Sequence, residues 1–154
     1  MFSQFFHKEL DLVYQGLTLM PGAEILTANL SGAGVRLGIV SGGFSYFADQ
    51  IGDRLGMDFV LSNTLECRDN QVTGRVIQPI IDGSMKLQTL HTEARALGID
   101  LVETLAVGDG ANDIPMLTAS GIGVAHRAKP RVCDAANHCL SHHDLSALSY
   151  LIKF

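Results

Sequence analysis

Short apolar runs alternate with helix-forming segments along most of this 154-residue chain. VRLGIV, TLAVG and GIGVA are nearly continuous apolar runs, which is typical of strands that are buried on both faces of a parallel sheet. Each run is followed by a segment with helical spacing. Strands and helices that alternate in this way predict an α/β fold, a three-layer Rossmann-like parallel sheet with helices on both faces.

Proline, glycine and apolar spacing predict where the helices begin and end. Pro21 and Gly22 open one helix, which Gly32 and Gly34 close. A second helix runs from about Ser45 to Leu55. The third, GSMKLQTLHTEARALG, places Leu87, Leu90, Ala94 and Leu97 on one face. DIPMLTAS, KPRVCDAAN and LSALSYLI are predicted as shorter helices, and HCLS as a last strand.

One segment departs from the alternation. Residues 58–78 predict a small β insert whose hairpin turn is DNQ, at Asp69 to Gln71. At the start, Phe2, Phe5, Phe6, Leu10, Val13 and Leu17 recur at the spacing of an amphipathic helix. Their apolar face needs a cover, so we expect self-association through it and a domain that is incomplete at its N-terminus.

Composition and charge narrow the class of function. The hydrophobic fraction is 47% and the net charge is −5, and no cluster of basic residues alternates with aromatics, so a nucleic-acid partner is not expected. A membrane span and a signal peptide are not expected either, because no apolar run is long enough. The chain is predicted to be cytoplasmic.

The three cysteines are Cys67, Cys133 and Cys139, an odd number without a CxxC pair. We expect reduced thiols, as in a cytosolic protein. Cys139 lies near His138, His142 and His143, which leaves a metal cluster as an alternative to a short strand followed by a polar turn.

The loop GDGAND, at 108 to 113, follows a predicted strand, where ligands gather in open α/β sheets. Its carboxylates, Asp109 and Asp113, are hard oxygen ligands that suit Mg²⁺ together with waters and a substrate phosphate. The alternatives are a turn-forming aspartate at Asp109 and a helix N-cap at Asp113.

Two further features complete a candidate phosphate site. Ser41, with Gly42 and Gly43, offers a hydroxyl and backbone N–H groups at the entry to a helix, which suits an anion. Lys86, the sole lysine between residues 9 and 128, begins a helix, where its charge opposes the helix dipole. The alternative for Lys86 is a solvated surface lysine. Phosphoryl transfer requires such neutralisation of charge.

SGGF, a lone lysine at a helix start and GDGANDIPML together resemble the haloacid-dehalogenase-like phosphatases, from about residue 14 onward. NTLE, the DNQVTGR hairpin and LTLMPGA resemble the members that hydrolyse O-phosphoserine. The resemblance implies that Ser41 and Gly42 bind the phosphoryl group, that Lys86 neutralises it and that Asn112 contacts the substrate. It also implies Asp109 as an Mg²⁺ ligand supported by Asp113. Residues 1–18 would then be the end of a helical cap, and 19–154 the core.

One departure from that family is serious. Its nucleophile is the first aspartate of a DxDx[TS] motif, and no two aspartates lie two residues apart in this sequence. The second aspartate of that motif, the general acid and base, is absent with it. We therefore expect this chain alone to be inactive. The alternatives are a non-catalytic domain that binds Mg²⁺ or a phosphorylated ligand, and a half-protein that completes its sheet with a partner chain.

Overall fold

Residues 10–68 and 71–152 are described by the structure, a computed structural model. They divide into two units. The first contains the described residues up to Ile80 and from Ser146 onward, and the second is Ile81–Leu145. The family-derived boundary after residue 18 stays a prediction.

The first unit is built on a sheet of three strands. After a helical stretch at 10–15, its elements are α1 (Ala23–Gly32), β1 (Gly38–Phe44), α2 (Ser45–Leu55), β2 (Phe59–Arg68) and β3 (Gln71–Ile77). The sheet order is β1-β2-β3, and α2 packs on β1 and β2. The bounds of α1 and α2 confirm the predicted helices.

Strand β2 pairs in two different ways along its length. Its first half runs parallel to β1, from Gly38 opposite Phe59 to Phe44 opposite Asn63. Its second half runs antiparallel to β3, beginning with Thr64 opposite Ile77. The predicted insert is therefore partly a strand of the parallel sheet. The predicted hairpin turn includes residues 69–70, which lie outside the described residues.

The second unit contains an all-parallel sheet in the order β4-β5-β6. Its principal elements are α3 (Gly83–Leu97), β4 (Leu105–Gly108), α4 (Ile114–Ala119), β5 (Ile122–His126), α5 (Pro130–Ala135) and β6 (His138–Leu140). Short 3-10 helices lie at Leu101–Glu103 and Ala111–Asp113. Ala106, Leu117, Ala125 and Val132 form the buried apolar cluster that joins the helices to the strands.

The α/β fold with parallel strands is confirmed. The helix predicted at LSALSYLI is a 3-10 helix, Leu145–Tyr150. Leu97 lies in the last turn of α3 and is 50% exposed. One detail of the sequence prediction is wrong. VRLGIV is not a fully buried strand: β1 begins at Gly38 and is partly exposed, since its one strand partner in the described ranges is β2.

The prediction of reduced thiols is wrong for two of the three cysteines. Cys133 and Cys139 form a disulfide with their Cα atoms 5.1 Å apart, whereas Cys67 is free and exposed. The chain turns from α5 into β6 between the two cysteines, and this turn brings them together. Within 10–68 and 71–152, no three His, Cys, Asp or Glu side chains are grouped to hold a metal.

The amphipathic helix predicted at the N-terminus falls partly outside the described residues, since Phe2, Phe5 and Phe6 precede residue 10. Residues 10–15 are helical, and Tyr46 of α2 donates a hydrogen bond to Asp11 there. Val13 and Leu17 are exposed. In the described part of the chain, no helix has the length and apolarity that a membrane crossing requires.

Candidate phosphate and metal site

The loop after β4 is held together by the carboxylate of Asp113. Its Oδ2 atom accepts hydrogen bonds from the backbone N–H groups of Asp109, at 3.1 Å, and Gly110, at 2.9 Å. Asp113 is buried and lies at the N-cap position of α4, as predicted, but its side chain makes no capping hydrogen bond to that helix. The carboxylate reaches back to the loop because the chain enters α4 through the 3-10 turn Ala111–Asp113.

The other oxygen of Asp113 is bound by Lys86. Lys86 Nζ donates to Asp113 Oδ1 at 2.6 Å, and the two side chains are 9% and 7% exposed. The alternative of a solvated surface lysine is therefore excluded. Burying two charges is costly unless each keeps its hydrogen-bonding partners. Here the carboxylate accepts three donors, which fixes the loop to α3.

Helix α3 begins at a well-formed N-cap. Asp82 Oδ1 accepts from Met85 N at 2.9 Å and from the Ser84 hydroxyl at 2.7 Å. These hydrogen bonds hold the pKa of the Asp82 carboxyl below its usual range. They define the start of the helix and so the position of Lys86 one turn later. The sequence prediction missed Asp82, although an aspartate before a helical segment is a recognised start signal.

Two glycines allow the backbone to approach this loop closely. A Cβ atom on Gly108 would lie 2.5 Å from Asp113 Cβ and Cγ, and one on Gly83 would lie 2.8 Å from the carbonyl oxygen of Asn112. Neither distance is compatible with a side chain. Gly108 is the last residue of β4, where the absence of a side chain makes room for Asp113. Gly83 was not predicted.

Asp109 differs from Asp113 in exposure and in partners. It is exposed, and its carboxylate accepts no hydrogen bond and forms no ion pair with any residue in 10–68 or 71–152. Asn112 is exposed beside it in the same loop. A hard oxygen ligand without a protein partner fits Mg²⁺, which is often held by one or two carboxylates and completed by water and phosphate. The residues present therefore fit the ion.

The Ser41–Gly43 segment of the first unit is a bulge in β1. Ser41 lies opposite Ser62 and Phe44 opposite Asn63, so Gly42 and Gly43 have no counterpart on β2. Gly43 N donates to Ser41 Oγ at 3.0 Å, and the buried Asn63 donates from Nδ2 to the Gly42 carbonyl at 2.8 Å. Bulges often redirect a strand next to a functional site.

The structure brings four of the six predicted site residues together in the second unit. These are Lys86, Asp109, Asn112 and Asp113, whereas Ser41 and Gly42 belong to the first unit. Asn63 was not predicted as a site residue, because a lone asparagine in a strand gives no signal of what it supports. The individual roles of these residues stay predictions.

The parallel α/β fold of this chain is shared with known hydrolases. The family model of haloacid dehalogenase-like hydrolases matches residues 1–118. The chain therefore belongs to the haloacid dehalogenase-like hydrolase family. Within that family its place is with the phosphoserine phosphatases.

Relatives and solved structures agree on that place. The chain is 43% identical over 142 residues to a phosphoserine phosphatase of Streptomyces coelicolor. A substrate-bound phosphoserine phosphatase complex has a TM-score of 0.88 at 32% identity, covering 99% of this chain and 78% of that one. A phospho-aspartyl intermediate analogue of phosphoserine phosphatase has a TM-score of 0.87 at 34% identity, with 93% and 68% covered.

The chain is short beside its curated relatives. It is matched over 92% of its own length to the Streptomyces coelicolor enzyme but spans 35% of that protein, and the same 35% of the relative from Mycobacterium tuberculosis.

Proposed function

We propose that this chain is part of an Mg²⁺-dependent phosphoserine phosphatase, which hydrolyses O-phosphoserine to serine and phosphate. The observation that carries the proposal is the loop in which Asp113, bound to Lys86 and to two backbone N–H groups, leaves the Asp109 carboxylate exposed. A side chain that binds a catalytic metal ion must be held in place while its own lone pairs stay available to the ion. This loop provides that arrangement.

Each residue has one role in the proposal. Ser41 and the N–H of Gly42 bind phosphoryl oxygens, and Asn112 contacts the phosphate or the substrate. Lys86 neutralises charge on the phosphate, and Asp113 positions both Lys86 and the loop. Asp109 would hold Mg²⁺, and the ion supplies charge that neutralises the phosphate. Phosphoryl transfer depends on such positioning and electrostatic stabilisation.

In this proposal the attacking group is the first aspartate of a DxDx[TS] motif, which these 154 residues do not contain. An aspartate on a preceding strand would attack phosphorus, release serine and form an aspartyl-phosphate that water then hydrolyses. A neighbouring aspartate would protonate the leaving oxygen and activate the water. Support for the intermediate comes from the relative described as a phospho-aspartyl intermediate analogue.

Unpaired strand edges favour a second candidate, in which a partner chain supplies that aspartate. β1 pairs with β2 and β4 with β5, and within the described ranges neither has a partner on its other side. An exposed edge can accept another strand. The strand could belong to a longer form of this polypeptide or to a separate chain. A third candidate, a non-catalytic domain that binds Mg²⁺ or a phosphorylated ligand, needs no such strand.

The test measures phosphate release from O-phosphoserine with Mg²⁺ by two proteins. One is the chain alone, and the other is the chain preceded by the N-terminal segment of the Streptomyces coelicolor relative. We expect turnover only in the second, and its loss in Asp109→Asn. Asp134→Asn, an exposed carboxylate of the same unit, is the control and should keep full activity.

Binding measurements separate the alternatives. Calorimetric titration of the chain alone with Mg²⁺ and inorganic phosphate, with and without Asp109→Asn, reports the ligand site without turnover. Asp109-dependent binding by a fused protein that has no turnover would favour the non-catalytic domain. Equal activity in Asp109→Asn and Asp134→Asn would remove Asp109 from the site and overturn the proposal.

A further inference from the structure

The turn between α5 and β6 places two cysteines within bonding distance. Cys133 lies in the last turn of α5 and Cys139 in the middle of β6, and their Cα atoms are 5.1 Å apart. That separation is in the ordinary range for a disulfide. The third cysteine, Cys67, is exposed on β2 of the other unit and is not bonded.

The fold has anchored this turn independently of the sulfur atoms. Asn137 Oδ1 accepts from Gly123 N at 3.0 Å, and β6 pairs with β5 through Val124 opposite His138 and Ala125 opposite Cys139. On the helix side, Val132 is 3% exposed in the apolar cluster. These contacts on both sides of the turn involve neither sulfur atom.

The two thiols differ in access. Cys139 is exposed on the short outer strand of the sheet, whereas Cys133 is partly buried. A thiol that reacts with a soluble disulfide must be accessible, and it forms a mixed disulfide with that molecule. A second thiol held nearby then attacks the mixed disulfide and forms the internal bond. The exposed and sheltered positions match those two requirements.

From this geometry we propose that Cys133 and Cys139 are a reversible thiol–disulfide site whose oxidant is a small disulfide such as oxidised glutathione. The Cys139 thiolate attacks one sulfur of glutathione disulfide, forming a mixed disulfide and releasing one glutathione. The Cys133 thiolate then attacks the Cys139 sulfur and releases the second glutathione. Two protein thiols are oxidised, one glutathione disulfide is reduced, and the two thiol protons end on the two glutathiones.

The bond changes the mobility of the outer strand. It joins the apolar cluster, through α5, to β6, which is three residues long and exposed at His138 and Cys139. Arg127 N donates to Leu140 O at 3.0 Å where β5 ends. Local opening of β6 breaks this hydrogen bond. Because the disulfide restricts that opening, the hydrogen bond should persist longer in the oxidised chain than in the reduced chain. The proposal is independent of phosphatase activity.

The first test equilibrates the purified chain with mixtures of oxidised and reduced glutathione, in buffer and in concentrated urea. The chain is then quenched with acid, alkylated and digested with trypsin. Residues 132–153 form one peptide with both cysteines, and residues 55–68 form a peptide with Cys67. In buffer we expect an internal disulfide in the first peptide and an alkylated Cys67. In urea the disulfide should require a more oxidising mixture, because the unfolded turn no longer holds the cysteines together.

Cysteine variants identify which of the two thiols reacts first with glutathione disulfide. Cys133→Ser should accumulate a glutathione adduct on Cys139, and Cys139→Ser should accumulate less adduct on the sheltered Cys133. Cys67→Ser should behave as the unaltered chain does. Exchange of the Arg127 amide hydrogen should be on the order of tenfold slower in the oxidised chain, since the cross-link restricts local opening.

Three results would overturn the proposal. One is alkylation of both cysteines at every glutathione ratio. Another is an equal tendency to oxidise in buffer and in urea, which would show that the fold does not create the site. The third is a stable glutathione adduct on Cys139 of the unaltered chain, since Cys133 should displace it.

Discussion

The ammonium of Lys86 and the carboxylate of Asp113 form a buried ion pair, with Nζ 2.6 Å from Oδ1. The second oxygen of the same carboxylate accepts the backbone N–H groups of Asp109 and Gly110. A single side chain thus fixes helix α3 and the loop after β4 to each other. The loop can present Asp109 outward because Asp113 is directed inward.

Removing Asp113 should strongly destabilise the second unit. Asp113→Ala leaves Lys86 buried without a partner, and the loss of one member of a buried pair typically costs about 3–5 kcal/mol. Urea unfolding followed by circular dichroism measures the change. The matched control, Asp109→Ala, removes an exposed carboxylate without a partner among the described residues and should stay within about 0.5 kcal/mol. Equal losses in both variants would contradict the assignment of the pair.

Adding a methyl group at Gly108 should have the opposite effect from adding one at Gly32. In Gly108→Ala the new Cβ meets the Asp113 side chain at 2.5 Å, and such overpacking costs about 1–3 kcal/mol. Gly32 lies in α1 with nothing within 4 Å of its Cβ position. Gly32→Ala should therefore stabilise the chain by about 0.4–1 kcal/mol, since it restricts the unfolded state. Thermal unfolding of the two variants gives the comparison, and a stabilised Gly108→Ala would refute the close approach.

Asn63 should control the conformation of the β1 bulge. Asn63→Ala removes the donor to the Gly42 carbonyl, so we expect a loss of about 1 kcal/mol and altered amide chemical shifts at Gly42 and Gly43. Nuclear magnetic resonance of the chain in both forms measures the shifts. The control is Thr64→Ala, an exposed neighbour on β2. If Thr64→Ala moved the two glycine signals as far as Asn63→Ala does, the bulge would not depend on Asn63.

The N-cap of α3 should make stability depend on acid pH. The folded-state pKa of Asp82 is lowered by its hydrogen bonds from Met85 N and the Ser84 hydroxyl. A lowered pKa contributes stability above the unfolded-state value, near 3.8, which is lost as pH falls through the folded value. Asp82→Asn should therefore flatten the stability profile in that acid range. Unfolding midpoints from neutral pH down to acid pH, for both proteins, test the difference; parallel profiles would exclude the effect.

Much of the fold could be read from local patterns. The bounds of α2 matched the prediction because Ser45 follows a strand and Gly56 ends the helix with a left-handed backbone, φ 65°. The apolar runs ending at Gly108 and starting near Ile122 became parallel strands. The 3-10 helix at Leu145–Tyr150 has helical spacing too, so periodicity alone did not distinguish it from an α-helix.

The sequence named candidate site residues but did not indicate which of them contact one another. Lys86 and Asp113 are separated by 27 positions, and no spacing rule indicates that a lysine on one helix will reach a particular carboxylate. Asp113 was expected to cap α4 because aspartates at helix starts usually do so. The pairing of Cys133 with Cys139 was missed for a similar reason, since it depends on the sharp return of the chain from α5 into β6.

The two pairings of β2 also determine where insertions and deletions are tolerated along this strand and its hairpin. The first five residues of the strand pair with β1 and carry Asn63, whereas the remainder pairs with β3 in the hairpin. Because side chains alternate between the two faces of a strand, one residue inserted before Asn63 would turn that side chain away from Gly42. An insertion near residues 69–70 would leave the same register untouched. The segment between β2 and β3 can therefore change in length during evolution without moving Asn63. The half of β2 beside the bulge must keep its number of residues.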